Sequence, residues 1–158
     1  MALPNEKTGF TYGWSPNDFI QNFLAEGSDN RGGANKGAME SKLSILEGDV
    51  VELGTNFREI KAKTVTTTGK IIGVALSDSV DGKMIPVSCG PIVKVECGEA
   101  VSRGDYVGVD DGDAATVKPV TPTGGGTLYG LLGIALNDGD DGDIIPVLMK
   151  GNGITFVG

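Results

Sequence analysis

Seventeen residues recur sixty positions apart. The segment 71–87, IIGVALSDSVDGKMIPV, aligns without a gap over 131–147, LLGIALNDGDDGDIIPV. Nine positions are identical, namely Gly73, Ala75, Leu76, Asp78, Asp81, Gly82, Ile85, Pro86 and Val87 with their counterparts. Five more exchange one apolar residue for another, or Ser for Asn. Internal similarity of this kind constrains the fold more than composition does, because each copy is one structural unit that must be built the same way.

A shorter match lies upstream, where Gly48-Asp49-Val50-Val51 corresponds to Gly104-Asp105-Tyr106-Val107. Each unit then reads Gly-Asp, strand, loop, strand, Asp-Gly turn, strand. The Asp81-Gly82 and Asp141-Gly142 pairs stand between apolar runs and predict two equivalent hairpins, since tight turns need a positive φ that glycine adopts without steric cost. Runs such as 50–53, 92–95 and 154–157 are rich in β-branched residues, and 26 glycines leave little room for helix. Pro86 and Pro146 fall inside apolar runs, which places them at edges or bulges. Each unit has at most 60 residues, too few to bury much surface alone. The expectation is therefore an all-β fold: one compact β-barrel or sandwich over residues 43–158, made of two repeats (about 43–98 and 99–158) that share a core with approximate twofold symmetry.

Residues 1–42 differ in kind. They hold Phe10, Tyr12, Trp14, Phe19 and Phe23, five of the nine aromatics. Ser15-Pro16-Asn17-Asp18 reads as a helix start, with Ser15 as N-cap and Pro16 in the first turn, and Gly27 as a stop. Phe19, Ile20, Phe23 and Leu24 then form one apolar stripe on a short helix. The stretch 27–42, GSDNRGGANKGAMESK, is a glycine-rich polar linker. Such a helix either covers an open end of the β core or anchors the chain to a partner. Aromatic side chains dominate protein interfaces, so Phe10, Tyr12, Trp14, Phe19, Ile20, Phe23 and Leu24 are the candidate partner contacts.

The chain has no histidine, the commonest general base, and no Gly-x-Ser-x-Gly elbow or Cys–His pair. No catalytic residue, cofactor or metal is expected. The acidic run Asp138, Asp140, Asp141, Asp143 invites a calcium-loop reading, but Asp143 and Met149 stand where such a loop wants Gly and Glu. Its counterpart keeps only Asp78 and Asp81, so these aspartates read as turn residues. Gly124-Gly125-Gly126 lacks the Gly-Lys-Ser/Thr of a phosphate loop. Cys89 and Cys97 do not make a disulfide framework; Met149 replaces Cys89 in the second unit, which fits a small apolar side chain, although a hairpin could bring the pair together. A net charge of −8 argues against nucleic acid, whose phosphates select clustered Lys and Arg. No apolar run approaches bilayer length and the N-terminus has no signal-peptide pattern, so synthesis in the cytoplasm without a membrane partner is expected.

Gly-Asp-Val-Val (48–51), Gly-Val-Ala-Leu (73–76), Gly-Asp-Tyr-Val (104–107) and Gly-Ile-Ala-Leu (133–136) resemble the decoration, or cement, proteins of tailed-bacteriophage heads over about residues 45–150. That resemblance implies a β-barrel or tulip-like domain on the outer capsid surface, as a homo-oligomer with the trimer favoured, clamping neighbouring major capsid subunits against internal DNA pressure. The arm lies outside it, and no family motif assigns the arm's aromatic residues.

Two other classes compete. A carbohydrate-binding or other ligand-binding module of a virion fibre would need aromatic platforms in the β domain, which has only Phe57, Tyr106, Tyr129 and Phe156. A hydrolase or carrier of the barrel-sandwich kind is suggested by Gly98 to Asp105 with the strand that follows, which resembles turns in such folds, but a carrier presents a lysine at a tight hairpin tip. Lys83 is the nearest candidate, and its counterpart is Asp143.

Overall fold

Strict alternation sets the strands. In Ile92–Cys97 the side chains of Val93, Val95 and Cys97 are buried while Ile92, Lys94 and Glu96 face out, the period-2 signature of a strand with one wet face. The computed structural model describes residues 20–26, 43–63, 71–110, 113–121 and 130–149. Among them there is no helix, and the twelve strands form two closed five-stranded barrels and one small two-stranded sheet.

The first barrel takes β1 (Ile20–Ala25), β3 (Val50–Leu53), β4 (Glu59–Ala62), β5 (Ile71–Ala75) and β7 (Met84–Ser88), in the order β1-β4-β3-β5-β7. The second takes β8 (Ile92–Cys97), β9 (Tyr106–Asp110), β10 (Asp113–Pro119), β11 (Leu131–Ala135) and β12 (Ile144–Met149). Read from β8, its order is β8-β10-β9-β11-β12. In each ring the first strand runs parallel to one neighbour and antiparallel to the other. The registers also correspond: Val51 faces Gly73 and Val107 faces Gly133, and in both rings a one-residue irregularity follows, before Glu52–Ile71 and Gly108–Leu131. Outside the first barrel β2 (Leu43–Ile45) pairs with β6 (Ser79–Val80), and at the matching place beside the second a single bridge joins Val101 to Gly139.

Four expectations are corrected. The segment Ile20–Ala25, read as part of a helix, is a barrel strand bonded to β4 and β7. A helix of about ten residues between Pro16 and Gly27 is too short to hold itself together in water, whereas the strand gains a ladder on both sides and buries Ala25 with Phe23 packed beside it. Barrel one therefore draws a strand from the N-terminal side of residue 43. The part of the expected helix before residue 20 lies outside the described residues.

The single shared core is replaced by two interiors. Ala25, Ile45, Val51, Ile60, Ala75, Ile85 and Val87 fill the first. The second holds Val93, Val95, Cys97, Val107, Val109, Val117, Ala135, Ile145 and Val147, and to it belong Val50, Ile71 and Val74 of the first barrel. Val50 and Val74 alternate with the inward Val51 and Ala75, so they leave barrel one on its outer side. There β3 lies against β10 and β5 against β8. The joint is head-to-tail, not twofold: a twofold would repeat these contacts as β9 against β4 and β11 against β1, and neither pair is packed in that way among the described residues.

The Asp-Gly pairs form turns but not hairpins between paired strands. Gly82 and Gly142 have φ of 76° and 87°, and the turns close through Lys83 N–H to Val80 O and Asp143 N–H to Asp140 O. The strand entering the first turn, β6, pairs with β2 instead of β7. Finally, Pro86 and Pro146 sit at neither an edge nor a bulge. Each offers its carbonyl to the residue after the neighbouring strand's last pair, Leu76 and Leu136. A residue's N and O point to the same side of a strand, so the missing N–H faces β5 or β11 just where that ladder ends.

Candidate functional surfaces

The repeated residues build a lattice of turns. In barrel one the Asp49 carboxylate accepts the N–H of Leu46 at 2.9 Å and the Asp78 carboxylate that of Glu47 at 2.8 Å. In barrel two Asp105 accepts from Ser102 at 2.9 Å and Asp138 from Arg103 at 2.8 Å. Gly48 and Gly104, with φ of 87° and 94°, follow directly and donate to Ala75 O and Ala135 O. Charged acceptors make the stronger class of hydrogen bond, and only a residue tolerant of positive φ fits between them. These bonds explain why Gly-Asp and Ser/Asn-Asp recur in the sequence.

The acidic run is accounted for in part by the same geometry. Asp138 fastens Arg103, Asp143 accepts the N–H of Asp140 at 2.9 Å, and Asp141 and Gly142 occupy the turn. Among the described residues no group of three or more acidic or thiol side chains is placed to hold a metal ion. Asp81 and Gly82 occupy the equivalent exposed turn of barrel one.

Both cysteines are free thiols. Cys97 is fully buried in the second interior, while Cys89 packs half-buried beside the first, as Met149 does beside the second. Burial pushes both thiols above their ordinary value, and for Cys97 the carboxylates of Asp143, Asp140, Asp141 and Glu96 push in the same direction.

Of the predicted contacts, Phe10, Tyr12, Trp14 and Phe19 lie outside the described residues. Ile20, Phe23 and Leu24 are half-buried on β1. The structure brings forward other surfaces. Between the barrels runs a groove of about 470 Å³, walled by Glu47, Val74 and Leu76 on one side and Lys94, Glu96 and Ile144 on the other. Leu76 and Ile144 are exposed there.

The turn between β3 and β4 presents Phe57, 89% exposed. It is a built turn. Glu26 accepts from the N–H and hydroxyl of Thr55, and Glu59 accepts from the N–H and side-chain amide of Asn56. Arg58 is in the left-handed region at φ 66°, and its carbonyl accepts the N–H of Leu24 at 2.7 Å. The two bonds to Thr55 hold the Glu26 carboxyl below its ordinary value, with Lys61 adding to the effect. Sequence reasoning weighed Phe57 only as a sugar platform. Its signal was a lone aromatic in the polar stretch Thr55-Asn56-Phe57-Arg58-Glu59.

A search of curated proteins finds no match. Among solved structures the chain is similar to the N base of the head fiber gp8.5 of bacteriophage phi29, with a TM-score of 0.55 and 16% identity, over 83% of this chain and 92% of that one; at this identity the likeness is one of fold. The family model described as phage cement protein matches residues 45–151. That span runs from the end of β2 through β12 and so takes in both lattices of Gly-Asp turns, and the chain belongs to the phage cement protein family.

Proposed function

We propose that this chain is a structural cement protein that binds the outside of an assembled phage head and stabilises contacts between major capsid subunits. The observation that carries the reading is the family match across both barrels. Closed five-stranded rings suit the task, since closure leaves no sheet edge to open under load. The reading assigns no catalytic residue, cofactor or metal, and the net charge of −8 keeps the protein off the packaged DNA. It further takes the chain as a homo-oligomer, the trimer favoured, made in the host cytoplasm.

The two barrels are read as duplicates of one unit, a view supported by their matched strand order, registers and Asp-capped turns. Within this reading the arm, with Phe10, Tyr12, Trp14 and Phe19, is the tether to an adjacent subunit. It enters barrel one through β1, so a deletion that spares the fold must stop before Ile20. Purified protein mixed with undecorated shells is expected to pellet with them. A variant lacking residues 1–18 should remain folded and lose that pelleting. Full-length protein that stays in the supernatant contradicts the cement role; a truncated form that pellets as well as full length contradicts the tether. The alternative, a ligand-binding component of a virion fibre, draws on the shared fold with the head fiber base, and it predicts no pelleting with shells that lack fibres.

A further inference from the structure

The turn that carries Phe57 belongs to barrel one alone. Leu53 pairs with Ile60 as Val109 pairs with Val117, so residues 54–59 stand where 110–116 stand in barrel two. That counterpart, DDGDAAT, contains no aromatic, so closing a barrel does not require a phenyl ring at this place. The turn is nonetheless fixed. Besides the bonds from Thr55 and Asn56, Gly54 donates its N–H to Glu59 O at 2.7 Å and Glu59 its own to Asn56 O at 3.2 Å. Arg58 stays in the left-handed region that residues other than glycine avoid. An apolar side chain held in water on an ordered backbone loses little further freedom when it docks.

The groove between the barrels offers what such a ring needs. Val74, Leu76 and Ile144 give it apolar walls, and its volume of about 470 Å³ is well above the roughly 150 Å³ that holds a benzene ring. Leu76 and Ile144 leave apolar surface in water there, which a docked ring removes. Charge is complementary as well. The walls carry the carboxylates of Glu47 and Glu96 against the ammonium of Lys94. On the turn the exposed Arg58 follows Phe57 directly, while the carboxylates of Glu26 and Glu59 are engaged by Thr55 and Asn56. A cation beside an apolar ring therefore meets an acidic rim around an apolar floor. Within one chain the two features stand at opposite ends of β3, since Glu47 and Gly48 precede that strand and Phe57 follows it. A fixed turn does not fill the groove of its own chain.

We infer that Phe57 and Arg58 of one copy dock in the inter-barrel groove of a second copy, the ring against Leu76 and Ile144 and the guanidinium towards Glu47 and Glu96. Both halves of the contact, in shape and in charge, are present on this chain, which favours a second copy over a capsid subunit as the occupant. Turn and groove are different surfaces, so the contact is heterologous and propagates until it closes into a ring or extends as a chain. A ring of three copies satisfies every turn and every groove. The inference supplies the contact for the homo-oligomer of the proposed function and rests on that part of the reading.

Sedimentation velocity of the full-length protein over a rising concentration series tests it, with the folding of each variant checked by circular dichroism. Wild type is expected to associate. Phe57→Ser on the turn and Ile144→Asp in the groove, both at exposed positions, should each weaken association by about thirtyfold or more, the loss typical of a central aromatic anchor. Arg58→Glu should weaken it too, and Arg58→Glu combined with Glu96→Arg in the same chain should recover part of the loss. A wild type that stays monomeric at every concentration removes the homo-oligomer reading and the inference with it. If wild type associates and either folded variant, Phe57→Ser or Ile144→Asp, associates equally well, the inference alone falls. It falls also if the charge-swapped double variant is no better than Arg58→Glu. A Phe57→Ser protein that keeps its oligomer and loses only shell pelleting overturns it as well, since the occupant is then the capsid.

Discussion

Replacing Lys63 by Met perturbs a buried charge pair on the first barrel. Lys63 Nζ lies 3.1 Å from Glu52 Oε2 with both side chains 1% exposed, while Lys61, 42% exposed, approaches Oε1 at 3.9 Å. Methionine keeps much of the length of lysine and removes its charge, leaving the Glu52 carboxylate without its buried counter-ion. Removing one partner of a buried pair costs about 3–5 kcal/mol. Lys61 offsets part of this, by about 1 kcal/mol for a solvent-screened ion, so the expected loss is about 2–4 kcal/mol. In a chain of this length each kcal/mol moves Tm by about 2–4 °C. The two counterpart positions, Gly108 and Val120, are uncharged, so the architecture itself does not require the pair. Glu52→Leu with Lys63→Met is therefore expected to recover stability to within about 1 kcal/mol of wild type or to exceed it. Urea unfolding followed by circular dichroism reads both, through midpoints compared at unchanged slope. A single variant that loses less than about 1 kcal/mol, or a double variant weaker than the single, would refute the desolvation reasoning.

Three further outcomes follow from the same geometry. Glu26 has its folded pKa depressed by the bonds to Thr55; its contribution is fully present above the ordinary glutamate pKa and is lost as pH falls through the depressed value. An NMR titration should find the Glu26 midpoint below the ordinary glutamate value in wild type and raised part of the way back in Thr55→Val, which removes the hydroxyl bond and keeps the N–H bond. At Gly73 an added Cβ would stand 2.1 Å from the Ser88 carbonyl oxygen, a clash with backbone, so Gly73→Ala should cost at least about 1–3 kcal/mol in urea unfolding. Cys97 should resist alkylation in the folded protein at neutral pH and Cys89 react slowly, both becoming fully reactive in denaturant; rapid labelling of Cys97 would contradict its burial.

The all-β class and the positions of most strands were legible because β-branched alternation and glycine turns are local signals, as in Val93, Val95 and Cys97 of β8. The place of β1 and β8 in the two rings is not legible, because the two strands share almost no sequence: IQNFLA has two adjacent exposed polar residues where IVKVEC alternates. For the same reason Ile20–Ala25 read as helix. Its strand character comes from pairing with β4 and β7, residues more than thirty positions away, which no local pattern encodes. The choice between one barrel and two also escaped, since Val50 and Val51 look alike in sequence and face different interiors. Asp78 and Asp138 were legible as turn residues, but not that each reaches back 31 or 35 positions to hold the N–H of Glu47 or Arg103. The exposed Phe57 turn depends on Glu26, the residue after β1, and could not be assembled from spacing.

The cement role itself is tested most directly by heating DNA-filled heads that lack their decoration, with and without this protein bound, and recording the temperature at which DNA is released. Bound protein is expected to raise that temperature, and to do so in proportion to the occupancy seen by pelleting. Saturating occupancy with no change in the release temperature would contradict the role.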